Sequence, residues 1–122
     1  MSDAPQQMTL GGLIDALRRL EPRRTIAFEF GGCSPTDFES YRGEFGGLAL
    51  GFSSRQGATL IGDLIERVKA AFETIYITWE EETQTVSRDT LLWVANSGCI
   101  SGTVIVDVVE RGAIAYIVTA WQ

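Results

Sequence analysis

Gly31-Gly32-Cys33-Ser34-Pro35-Thr36-Asp37-Phe38-Glu39-Ser40-Tyr41-Arg42-Gly43-Glu44-Phe45-Gly46-Gly47 separates two apolar stretches, Thr25–Phe30 and Leu48–Phe52. Its five glycines and one proline predict a long loop with neither regular helix nor regular strand. Long loops inside compact domains are either functional or disordered. Phe38, Tyr41 and Phe45 argue for order, because disordered segments are poor in aromatics. The loop is therefore read as part of a binding site.

The flanks of this loop set the architecture. Upstream, Ile26, Phe28 and Phe30 alternate with Thr25, Ala27 and Glu29, the pattern of a strand with one buried side. Downstream, Leu48, Leu50 and Phe52 share a face while Ala49 and Gly51 line the other, where a helix or ligand can approach the backbone closely. A helix before the first strand is predicted by Thr9 as N-cap and by Leu10, Leu13, Ile14, Leu17 and Leu20 at spacings of three and four. Arg18 and Arg19 suit its last turn, and Pro22 stops it. A second helix is expected after Thr59, again as cap, with Leu60, Ile61, Leu64, Ile65, Val68 and Phe72 as its stripe. Asp63/Arg67 and Glu66/Lys69 are expected as pairs on its outer face.

Further strands follow at Thr74–Thr78 and Leu91–Ala95, with Thr83–Ser87 as a hairpin or edge. Thr103–Val109 and Ala113–Ala120 form a terminal hairpin joined through Glu110-Arg111-Gly112. Strands crowd the C-terminal half and βαβ alternation is not sustained. The expected fold class is α+β, a mostly antiparallel sheet with two helices packed on one face. Residues 1–8 read as a flexible polar leader and 9–122 as one domain.

Ten basic residues against sixteen acidic ones leave a net charge of -6, which argues against binding a nucleic acid polymer. The chain has no histidine, which removes Ser-His-Asp and Cys-His catalysis and every His-containing zinc site. Cys33 and Cys99 match no CxxC motif; they are unrelated thiols, or meet in space as a disulfide or in one cleft. No metal or cofactor is expected. No signal peptide pattern or membrane-length apolar run is visible, so a cytoplasmic protein is expected.

Within the loop, Arg42 offers a planar fork for phosphate or carboxylate, Tyr41 a ring and hydroxyl, Ser40 a small donor, and Gly43 room for close approach. With Thr36 and Asp37 they suit a small anionic or nucleotide-like ligand. The bland alternative pairs Arg42 with Asp37 or Glu39. Trp93, Asn96 and Ser97, in Trp93-Val94-Ala95-Asn96-Ser97-Gly98, are read as the opposite wall, though Asn, Ser and Gly are also ordinary turn residues. Glu80-Glu81-Glu82 cannot all face one cation and reads as a solvated edge. Asp37, Glu39 or Glu44 would serve a hydrolase, the third option.

The order of Pro35-Thr36-Asp37-Phe38-Glu39-Ser40-Tyr41-Arg42-Gly43, Trp93-Val94-Ala95-Asn96 and Ser101-Gly102-Thr103 resembles a family of short phage- and prophage-encoded proteins, mostly uncharacterised. The resemblance spans most of residues 10 to 120. The chain departs from it at Thr78-Trp79-Glu80-Glu81-Glu82-Thr83, where the family carries a Gly-rich segment with Tyr and Lys. The resemblance implies a small accessory protein of the host cytosol that antagonises host defence. One such strategy is a homo-oligomeric sponge that sequesters a nucleotide-derived immune signal without chemistry. The alternative is a protein-interaction module that inhibits a host protein through its surface.

Overall fold

The computed structural model describes residues 7–29, 33–40, 47–53, 59–77, 80–95 and 103–121. Helix α1 spans Leu10–Arg18, and the Thr9 side chain accepts a hydrogen bond from the Gly12 N–H, as expected of a cap. Leu10, Leu13, Ile14 and Leu17 are buried, so the spacing of three and four does form one inward stripe. Removing the cap with Thr9→Ala should cost about 1 kcal/mol, read as a lower urea midpoint at unchanged slope.

Strand β1 (Thr25–Phe28) follows, and β2 is Ser34–Ser40. The second of these overturns the expectation that nothing regular forms between Gly31 and Gly47. Pro35 is tolerated because β2 is the last strand of its sheet and its register shifts between Pro35 and Phe38. Strand β3 is Leu48–Ser53 and β4 is Thr59–Leu60. Helix α2 is Ile61–Ala71. Thr59 therefore lies in a strand and does not cap α2. The N-cap is Leu60, without a side-chain bond, and the N–H groups of Ile61 and Gly62 donate to the carbonyls of Arg24 and Pro22.

A separate hairpin pairs β5 (Ile75–Ile77) with β6 (Thr83–Thr85). Strand β7 (Leu92–Val94), β8 (Thr103–Arg111) and β9 (Ile114–Trp121) complete the chain. The turn between β8 and β9 is tighter than expected. Arg111 already pairs with Ile114, and Gly112 takes the first central position with φ 66°.

The fold is α+β. Its seven-stranded sheet has the order β2-β3-β7-β8-β9-β1-β4. Four of its pairings are antiparallel, while β3/β7 and β1/β9 are parallel. Both helices bury their stripes on one face, where Leu10, Leu13, Leu17, Ile61, Leu64 and Val68 meet Ile26, Phe28, Leu50, Leu92, Ile105 and Ile117. Val108 packs into the same core although it lies an odd three positions after Ile105; the register shift between Ile105 and Asp107 makes this possible. Among the described residues no helix is long and apolar enough to cross a membrane.

The two end strands of the sheet approach each other. Thr59 of β4 donates its hydroxyl to the Pro35 carbonyl of β2 at 3.1 Å, and the Phe28 N–H donates to the Cys33 carbonyl at 2.8 Å. The sheet is thus curled around its helical filling. On its other face Ala49, Trp93 and Val104 form a small second cluster, and Ala27 of β1 is buried as well, so neither β1 nor β3 has only one covered side. Met8, expected within the leader, is held by bonds to the Ile105 carbonyl and from the Leu92 N–H.

Candidate functional site

A cleft of about 390 Å³ opens between β2 and the C-terminal half of α2. Asp37, Phe38 and Glu39 come from β2, Leu48 from β3, and Arg67, Ala70 and Ala71 from α2. Thr74 and Ile75 close it from the base of the β5–β6 hairpin. The volume falls in the range of small-molecule pockets, roughly 300–1,000 Å³. Its floor is apolar, through Phe38, Leu48 and Ala71, and its rim carries exposed Ala70 and Ile75 with two carboxylates and one guanidinium. Ile75 is 59% exposed, so an apolar surface stands open at the mouth.

Arg67 is the residue that sequence reasoning missed. It was expected to pair with Asp63 on the outer face of α2. Instead its Nη1 donates to the carbonyls of Thr36 at 2.9 Å and Pro35 at 3.3 Å, and its Nε lies 3.6 Å from Asp37 Oδ1. The cause is β2. The register of β2 shifts between Pro35 and Phe38, and an arginine one helix away donates to the two successive carbonyls at that shift. No local pattern around Arg67 announces this, because the partner carbonyls are some thirty residues away in sequence. The Glu66/Lys69 pair, by contrast, forms as expected at 3.7 Å.

The residues expected at the site separate into groups. Asp37 lines the cleft. Thr36 supplies its carbonyl to Arg67, while its hydroxyl packs on Gly51, where a Cβ would lie 2.5 Å from Oγ1. The small residue at 51 is thus approached by Thr36 and not by a helix. Ser40 ends β2. Trp93 lies elsewhere: it is 3% exposed and packs with Ala49 and Val104 on the sheet face opposite the helices. The pairings Ser40↔Leu48↔Leu92 and Leu50↔Val94 show that β2 and β7 end at opposite edges along the strand direction. Tyr41, Arg42, Gly43, Glu44, Asn96, Ser97 and Cys99 lie outside the described residues.

Among the described residues no group of His, Cys, Asp or Glu is placed to hold a metal ion. Every buried side-chain polar atom among them has a hydrogen-bond partner. The Thr74 hydroxyl, at the rim, is satisfied by the Ala71 carbonyl at 2.7 Å. What the cleft offers a ligand is therefore one oriented cation, two exposed carboxylates and an apolar floor. Comparison of the chain with protein-family models, with curated proteins and with solved structures finds no match in any of the three.

Proposed function

We propose that this protein captures a small anionic ligand and holds it chemically unchanged. The observation that carries the reading is the cleft itself. One of its walls is β2, and the chain of β2 runs directly on into Tyr41, Arg42 and Gly43, the residues with the strongest anion and ring chemistry in the sequence. The motif order resembling phage-encoded proteins directs the search to nucleotide-derived host immune signals. A cytoplasmic homo-oligomer acting as a sponge is the form that this reading takes.

Isothermal titration against cyclic dinucleotides and ADP-ribose-type signals tests it. At least one member should bind with a defined stoichiometry, and Arg42→Ala should weaken it by about 10- to 100-fold, the worth of a charge-assisted hydrogen bond. The circular dichroism spectrum should not change. Mass spectrometry after denaturation should recover the ligand at its original mass, whereas a hydrolase would release products. A panel with no binder at concentrations on the order of 1 mM would remove the reading.

A further inference from the structure

We propose that the Nε–Nη2 edge of Arg67 is the anion-reading group of the cleft, and that Asp37 is a resident carboxylate which an incoming oxyanion displaces. This rests on the binding reading above and adds its chemistry. Nη1 is fully used by the Pro35 and Thr36 carbonyls, so the guanidinium is fixed in plane and direction before any ligand arrives. Three N–H donors remain, one on Nε and two on Nη2. Nε lies 3.6 Å from Asp37 Oδ1, within ion-pair range but beyond a hydrogen bond.

The geometry separates two roles of Arg67. Holding the Pro35 and Thr36 carbonyls of β2 requires only Nη1. The other edge is the one that takes a carboxylate or phosphate through two parallel bonds, and Asp37 does not use it so. The Asp37 side chain is 87% exposed against 39% for Arg67, and such a pair is weakly held. Asp37 can therefore swing into solvent at little cost while the guanidinium stays in place. Phe38, Leu48, Ala70, Ala71 and Ile75 then supply an apolar bed for the body of the ligand. The ligand class is a compact oxyanion, carboxylate or phosphate monoester, attached to a flat or apolar body. Glu39 on the same rim raises the cost for an ion lacking such a body, since nothing then offsets the repulsion.

Phenyl phosphate and benzoate are the probes, with benzyl alcohol as the uncharged control. Each is titrated into the full chain and followed by NMR at the Arg67 Nε–H and at the amides of Phe38, Ala71 and Ile75. Wild type should bind an anionic probe and not the alcohol, with the Arg67 Nε–H resonance among those that shift. Asp37→Asn removes the competitor and should tighten binding by about fivefold, the upper worth of an exposed pair. Arg67→Lys keeps the charge but loses the fork, and should weaken binding by about tenfold with the fold retained by circular dichroism. The tighter of the two anionic probes identifies phosphate or carboxylate as the recognised group.

Equal affinity in wild type and Asp37→Asn, an unshifted Arg67 resonance at saturation, or no binding of either anion overturns the proposal. If the nucleotide panel binds but is indifferent to Asp37→Asn and Arg67→Lys, the sequestration reading stands and this site falls. If phenyl phosphate binds at Arg67 and the nucleotide panel does not, the reverse holds.

Discussion

Phe28→Ala should lower the unfolding free energy by about 3–5 kcal/mol, since Phe28 is the largest fully buried side chain among the described residues. Phe28 is 0% exposed and stands in β1, with Ile117 of β9 as its register partner. Its ring meets Phe52 edge to face, at 5.9 Å between centroids and 72° between planes. The truncation thus removes buried surface, leaves a cavity among Leu and Ile side chains, and loses an aromatic pair worth about 0.5–1.5 kcal/mol. Domains of this size have only about 5–15 kcal/mol in total, so the variant should lose a large share of its margin against unfolding. Phe52→Ala should cost much less, because Phe52 is 40% exposed. Urea unfolding followed by circular dichroism measures both. A Phe28→Ala loss below about 1 kcal/mol would contradict the placement of this ring in the core.

Gly47→Ala is expected to cost about 2–4 kcal/mol, through the backbone rather than the core. Gly47 has φ 117°, a conformation that side chains rarely adopt. A Cβ there would lie 2.5 Å from the Leu91 carbonyl oxygen, which itself accepts the Leu48 N–H at 3.0 Å. That oxygen belongs to the main chain leading into β7, so it cannot move aside as a side-chain tip would. The substitution should pry β3 from β7 at the point where their parallel pairing begins. Gly112→Ala is the matched control. Its φ is 66° and nothing lies within 4 Å of the added Cβ, so only the left-handed penalty of about 1 kcal/mol remains. Similar losses in the two variants would contradict the close approach at Leu91.

The helices were readable because a buried stripe repeats locally: Leu10, Leu13, Ile14 and Leu17 for α1, Ile61, Leu64 and Val68 for α2. The fold class followed from the crowding of alternating segments after Thr74. Strand β2 was not readable, since Pro35 and the flanking glycines are penalties in a regular strand. Pro35 ceases to be one at a sheet end with a register shift. Thr59 looked like a cap because caps are local, whereas the donors of α2 are met by carbonyls of the Pro22–Arg24 turn.

The candidate site was legible only in part, for the same reason. Asp37 sits in a stretch whose composition marks it out, and it does line the cleft. Arg67 sits on a helix face with an acid four residues earlier, the ordinary signature of a surface pair. Its role depends on two carbonyls that only the tertiary fold brings near. Trp93 had the composition of a ligand platform but is occupied in packing on Ala49 and Val104.

The most direct test of the central claim is an amide NMR titration with the tightest anionic ligand of the panel, followed by denaturation and mass analysis of the same sample. Capture at the β2–α2 cleft predicts that the shifts among the assigned β2, α2 and β5 amides include Asp37, Phe38, Arg67, Ala71 and Ile75, with the ligand recovered intact. Shifts confined to the β8–β9 hairpin, or a ligand recovered as cleavage products, would contradict it.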